Sequence, residues 1–271
     1  MERRRLGRTG IAVPVIGTGT RRGFDVKDRR GLSRCTDLAG EAIDQGAELF
    51  DTSPMYGEAE RVLARSLGER RDRALVATKV WARTRAVGEA QIEQALADFG
   101  RVDLYFVHNL LAFRDHKPLL DSLVERGRAG AVGGSHYLPS GIPEVRDLVA
   151  EGAIAAAEVP YHPLAKDAEA ELFPEAAAND AGIVVMQPFG GGRLLENPPS
   201  EGALARLRPF GIETWPQAIL KWILSDPRVC AVIPGTSKRE HLRENAAAGG
   251  PPWLDDDERA YIADLAAQCV R

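Results

Sequence analysis

Residues able to do acid–base chemistry stand where successive short apolar runs end. Asp51 lies near the end of the run Glu48 to Thr52, Lys79 near the end of Ala74 to Val80, and His108 ends Val102 to His108, with Tyr56 on the loop just after Asp51. A free tyrosine has a pKa of about 10 and is a poor acid at neutral pH, but a neighbouring ammonium favours its phenolate. Lys79 is placed to supply that charge, and Asp51 to keep Lys79 protonated and aimed. His108 would then hydrogen-bond a substrate oxygen on which negative charge develops, with Tyr56 as the general acid. Taken singly, each residue has an ordinary structural reading: a cap, a rim charge, a strand terminus, a packing ring. Their common position at strand ends is what favours chemistry.

Eight apolar runs are strand candidates: Val13 to Gly17, Glu48 to Thr52, Ala74 to Val80, Val102 to His108, Ala131 to Ser135, Ala155 to Tyr161, Ile183 to Gln187, and Cys230 to Pro234. Amphipathic stretches separate them, such as Ile92, Ala95, Leu96, Phe99 and Ile142, Val145, Leu148, Val149, whose spacing places one apolar stripe on a helix. The alternation predicts an α/β fold, a (β/α)8 TIM barrel in one domain over residues 1–271, with catalytic groups at the C-terminal ends of the strands. Residues 1–12 predict an N-terminal β-hairpin turning at Arg8, Thr9 and Gly10 and plugging the barrel floor. Leu254 to Val270 predicts an extra C-terminal helix outside it. The connection from Gln187 to Pro234 is much longer than the others and predicts a functional loop at the barrel mouth.

Composition narrows the classes. With 35 Lys+Arg against 39 Asp+Glu the chain has no basic field for nucleic acid. No apolar stretch is long enough for a membrane span or a secretion signal, and three scattered cysteines suggest a reducing compartment, so a soluble, cytoplasmic protein is expected. The five histidines are too dispersed for a zinc motif, so no metal is expected, and neither a Gly-x-Ser-x-Gly elbow nor a Gly-x-x-x-x-Gly-Lys-Ser/Thr phosphate loop occurs.

Over essentially its whole length the sequence resembles the aldo-keto reductase superfamily. The resemblance rests on Asp51-Thr-Ser-Pro-Met-Tyr56-Gly57 with Glu60, Thr78-Lys79-Val-Trp81, Val102-Asp103-Leu-Tyr-Phe-Val-His108, Gly133-Gly-Ser135-His136-Tyr137, and Ile233-Pro234-Gly235 with Glu244-Asn245. It implies that Asp51, Tyr56, Lys79 and His108 form the catalytic tetrad of an enzyme that reduces aldehydes or ketones with NADPH, NADH being possible, and without a metal. Family members hold the nicotinamide amide with a Ser-Asn pair and a Gln and stack an aromatic ring on it; here Ser135, His136, Glu158 and Met186 occupy those positions. The resemblance also implies cofactor contacts at Gly19, Thr20, Asp51, Gln187, Pro188, Phe189, Gly190, Ile233, Gly235, Thr236, Ser237, Lys238, His241, Glu244 and Asn245.

The phosphate end has a physical argument of its own. Ser237 with Glu240 is a capping-box pattern, which would leave backbone N–H groups free at a helix start beside Gly235 and Thr236. Lys238, Arg239 and Arg243 would add positive charge for a 2′-phosphate. Trp81 and Phe113 are candidate substrate contacts, with Trp215 or Leu111 as further pocket candidates, for a small carbonyl compound. Two other readings use the same barrel: a cofactor-binding sensor with little turnover, and a lyase forming a Schiff base on Lys79. The sequence leaves the oligomeric state open.

Overall fold

In the computed structural model, which describes residues 1–270, the apolar runs close into a barrel. A hairpin comes first, β1 (Arg3–Arg5) antiparallel to β2 (Ala12–Pro14), joined through a 3-10 turn at Gly7–Thr9. Eight parallel strands follow, each hydrogen-bonded to the next: β3 (Thr18–Gly19), β4 (Leu49–Asp51), β5 (Leu75–Val80), β6 (Val102–His108), β7 (Ala129–Ser135), β8 (Ala156–Pro160), β9 (Gly182–Met186) and β10 (Val229–Val232). The ring closes where the Gly17 N–H donates to the Val232 carbonyl at 2.8 Å and the Gly19 N–H to that of Pro234 at 3.1 Å.

Helices α1 (Arg29–Asp44), α2 (Ala59–Leu67), α3 (Arg85–Phe99), α4 (Phe113–Glu125), α5 (Ile142–Ala150) and α6 (Asp167–Ala178) occupy the successive crossovers between β3 and β9. The long connection after β9 carries a short α7 (Glu201–Ala205) before α8 (Trp215–Leu224). After β10 come α9 (Arg239–Ala247) and the extra helix α10 (Asp256–Cys269), held outside the barrel on α8, where the Trp222 indole N–H donates to the Arg259 carbonyl at 2.9 Å. Among the described residues no helix is long and apolar enough to cross a membrane.

One strand differs from its expectation. The run Val13 to Gly17 is divided: Val13 and Pro14 pair antiparallel with Arg4 and Arg3 in the hairpin, and the first barrel strand is Thr18–Gly19. Pro14 has no N–H for a central ladder and is tolerated at the edge of a two-stranded ribbon.

Side chains alternate across a strand, so the barrel has two apolar layers. The outer one packs sheet against helices. The inner one contains Leu49, Ala77, Leu104, Phe106, Ala156 and Val184, with Leu6 and Val13 from the hairpin segment buried among them. These two enter from the N-terminal ends of the strands and close the floor. A Cβ on Gly182, at the start of β9, would lie 2.4 Å from Leu6 Cδ1, so glycine is what lets the plug seat there.

Candidate active site

The alternation that fills the barrel with apolar side chains also sets the chemistry at its mouth. Leu49, Ala77, Phe106 and Ala156 point inward, and two residues further along the same strands stand Asp51, Lys79, His108 and Glu158. The pairings Gly19 to Asp51, His108 to Ser135 and Ser135 to Glu158 hold these strand ends level.

Lys79 is the centre of the group. Its ammonium is fully buried and donates to the Asp51 carboxylate and to the Thr52 carbonyl at 3.1 Å, and lies 3.3 Å from Glu158 Oε1. An ammonium has three N–H donors, and three acceptors surround this one. Burial alone would pull its pKa down, but Asp51 and then Glu158 more than reverse this, so Lys79 stays protonated well above the ordinary lysine value. A protonated amine is no nucleophile, which argues against the Schiff-base reading.

Two carboxylates share that single cation, and the cost appears at Glu158. Burial first, and then the negative charge of Asp51, push its carboxyl up to about 8. Its second oxygen, Oε2, is buried and has no hydrogen-bond partner among the described residues. Burial likewise pushes Asp51 upward, against the attraction of Lys79. Behind the sheet the Thr78 hydroxyl donates to Glu60, another buried carboxyl, raised to about 7.

Tyr56 sits on a turn rather than a strand. Its N–H donates to the Ser53 carbonyl at 3.0 Å, and the turn is pinned two residues on, where the Glu58 N–H donates to Asp25 Oδ1 at 3.0 Å. Lys79 Nζ lies 5.7 Å from the Tyr56 ring centroid. The expected lowering of the phenol pKa is not what results. Burial pushes it up to about 12, because Asp51 and Glu158 offset the favourable charge of Lys79. Tyr56 is therefore held as the neutral, proton-bearing phenol.

His108 is neutral as well, its pKa brought down to about 3 by burial and then by Lys79. Its Nδ1 lies 2.8 Å from the Ser135 hydroxyl, which fixes the ring while the residue lines the mouth. Beyond His108 the chain turns sharply, with Asn109 and Leu110 at φ of 53° and 52°, a left-handed backbone that non-glycine residues adopt at a cost.

These groups open into a cavity of about 530 Å³, within the range of small-molecule sites. One wall carries Gly19, Thr20, Asp51, Tyr56, His108 and Glu158, and another Met186, Gln187, Pro188 and Phe189, with Ile233 and Gly235 between. Gly190 opens the turn that brings Gly191 and Gly192 to the rim. Trp81 is exposed on the wall, its backbone clamped by the Gln91 side chain through bonds of 2.8 and 2.9 Å. Two features are suited to a bound nucleotide. The Thr20 hydroxyl and Glu158 Oε2 are buried polar atoms without partners among the described residues. In addition, Gly19 approaches β10 so closely that a Cβ would lie 3.0 Å from the Ile233 carbonyl oxygen, leaving a bare backbone strip.

Several expected contacts are placed elsewhere. Phe113 is buried in the sheet–helix core at the start of α4, away from this cavity, and Trp215 is buried with its indole N–H on the Leu194 carbonyl at 2.7 Å. Ser135 lies behind His108 rather than on the wall. His136 also turns off the wall, its Nδ1 accepting from the Leu138 N–H at 3.2 Å, and Tyr137 lines the cavity instead. Ser237 does not cap α9: the cap position is Lys238, without a side-chain bond, and Thr236 Oγ1 accepts the Lys238 N–H at 3.1 Å. Arg239 and Arg243 are not free charges, since both bind Glu41 of α1, at 2.9 and 2.7 Å, and Arg243 first and foremost holds that carboxyl at about 2. Lys238 and His241 remain exposed beside them, Glu244 is half-buried and Asn245 buried.

The sequence reading missed Arg21, Arg22, Met55, Asn109, Tyr137 and Leu195 on the wall. Arg21 follows the end of β3, so the strand-end rule would have found it had the first barrel strand been placed at Thr18–Gly19. Among the described residues no group of three or more His, Cys, Asp or Glu could hold a metal ion.

Comparison with known proteins agrees with this architecture. Residues 16–267 match the model of the aldo/keto reductase family, and the chain belongs to that family of oxidoreductases. It is 26% identical over 250 residues to methylglyoxal reductase YeaE of Escherichia coli, covering 88% of this chain and 86% of that protein. Identity is 29% over 275 residues with the uncharacterized oxidoreductase Rv2298 of Mycobacterium tuberculosis, covering 87% and 84%. The aldo-keto reductase AKR11C1 of Bacillus halodurans, solved in its holo form, superposes with a TM-score of 0.80 over 98% of this chain and 96% of that one, at 23% identity, a likeness of fold.

Proposed function

We propose that the protein reduces aldehydes or ketones to alcohols with NADPH, Tyr56 acting as the general acid. The observation that carries this reading is the buried Lys79 ammonium, surrounded by Asp51, Glu158 and the Thr52 carbonyl, beside a neutral Tyr56 on a cavity that His108 also lines. A bound reduced nicotinamide supplies the hydride.

The chain's own residues do the rest. Thr20, Glu158, Gln187 and the Gly19–Gly235 strip would hold the cofactor, the Glu158 carboxyl meeting the amide group in place of a glutamine. Neutral His108 donates from the nitrogen not facing Ser135 and orients the substrate oxygen. As negative charge grows on that oxygen, Tyr56 passes it the phenolic proton. A phenol at about 12 is still a far stronger acid than an alcohol, whose acidity is close to that of water at about 15.7. Lys79 stabilises the phenolate that forms, and Asp51 keeps Lys79 charged. Protonation of Glu158 removes one of the two negative charges that oppose this step.

The test is direct. Purified protein with NADPH and a panel of reactive carbonyls, methylglyoxal included, should consume reduced cofactor and release the matching alcohol in equal amount. Tight NADPH binding with no alcohol from any carbonyl would overturn the reading.

A further inference from the structure

Among the described residues, one of the cations that line the cavity is uncommitted. Lys79 is held by Asp51 and Glu158, Arg239 and Arg243 by Glu41, and Arg22 donates to the Gly191 carbonyl across the rim. Arg21 lines the same cavity as Tyr56 and His108, yet it makes no salt bridge or hydrogen bond among the described residues. Met55, Trp81 and Tyr137 line the same cavity, and its carboxylates, Asp51 and Glu158, face Lys79. The charge of Arg21 acts only weakly on the two reacting groups, since burial dominates both, raising the pKa of Tyr56 and lowering that of His108. Arg21 thus shares one cavity with Tyr56 and His108, while Arg22 is directed to the Gly191 side of the rim.

We infer that Arg21 selects substrates bearing an anionic group, pairing with a carboxylate on the carbonyl compound while its reactive oxygen lies between Tyr56 and His108. An aromatic or short aliphatic body fits against Met55, Trp81 and Tyr137. A planar guanidinium binds a carboxylate through two parallel hydrogen bonds. This inference rests on the reductase reading for its reaction and on Arg21 alone for its selectivity.

The experiment compares matched pairs: the formylbenzoates against their methyl esters, and glyceraldehyde 3-phosphate against glyceraldehyde. Wild-type kcat/KM should favour the formylbenzoate at least about tenfold, the size of one charge-assisted pair. The preference should fall by a similar factor in Arg21→Gln, return in part in Arg21→Lys, and shrink with added salt. A preference for the phosphate pair alone would replace carboxylate with phosphate recognition and overturn the assignment as stated. Equal rates within each pair, an unchanged preference in Arg21→Gln, or a loss appearing in the KM for NADPH rather than for the carbonyl would also overturn it. Calorimetric binding of benzoate to wild type and Arg21→Gln separates the two readings. Arg21-dependent binding without turnover of any carbonyl would remove the reductase reading and leave the anion site standing, whereas turnover without such binding would do the reverse.

Discussion

The floor of the cavity and the segment that follows β10 are built on opposite plans. At the floor, Asp51, Lys79, His108 and Glu158 extend from neighbouring strands, are nearly or fully buried, and satisfy or perturb one another directly. At the rim after β10, Gly235, Ser237, Lys238 and His241 are exposed, and α9 starts without a side-chain cap. The floor owes its geometry to strand register, which is fixed before any ligand arrives. The rim owes its geometry to long-range clamps, such as Glu41 with Arg239 and Arg243. Substitutions at the floor should therefore change chemistry, charge state and stability together, while those at the rim should change affinity alone.

The sharpest break in that contrast is Lys79→Met. Removing the cation leaves two buried carboxylates facing each other, so kcat should fall on the order of a thousandfold. Stability at pH 8 should drop by about 3 kcal/mol, and by less at pH 5, where the carboxyls take up protons. Denaturant unfolding at the two pH values checks this, and an equal loss at both would show that the pair is not ionised in the wild type.

Glu158→Gln should have an intermediate effect. A carboxyl whose folded pKa is about 8, against an unfolded value of about 4.3, is protonated in the fold where the unfolded chain has released its proton. Its contribution favours the fold at low pH and is lost as pH rises from the unfolded value through the folded one. Glu60, at about 7, acts in the same sense over a narrower window. Glu158→Gln should thus flatten the decline of Tm from pH 5 to 9 and gain roughly 2–4 °C over wild type at the alkaline end, about 1 kcal/mol for a chain of this size. Parallel Tm profiles would contradict the account.

The smallest effect is expected at the rim. Lys238→Ala should raise the KM for NADPH severalfold with little change for NADH, leaving kcat and Tm near wild type. Arg239→Ala should change Tm slightly and cofactor preference less, since its guanidinium is engaged with Glu41. The opposite ranking in cofactor titrations would assign the 2′-phosphate to Arg239.

The difference between the regions also explains what could be read from sequence. Asp51, Lys79 and His108 were legible because a strand's period of two and the rule that barrel sites lie at C-terminal strand ends need only local information. The hairpin turn, the extra helix and the long loop after β9 were legible for the same reason. The first barrel strand was misplaced because Val13 and Pro14 look like strand residues and are, but of the hairpin, and that error concealed Arg21. At the rim, Ser237 and Glu240 have the spacing of a capping box, but the helix starts later, at Arg239. The pairing of Arg239 and Arg243 with Glu41 joins distant parts of the chain and leaves no local trace. The net pKa of Tyr56 was misjudged chiefly because burial of the phenol, which opposes its ionisation, depends on how distant segments pack, with Asp51 and Glu158 adding to it.

The central claim is that Tyr56 supplies the proton while the floor around it binds cofactor independently of that proton. Single-turnover reduction of a reactive carbonyl by NADPH in Tyr56→Phe, with the NADPH dissociation constant measured by fluorescence on the same sample, tests it most directly. The account predicts a rate lower on the order of a thousandfold with an NADPH affinity close to wild type. A rate near that of the wild type at equal affinity would contradict it.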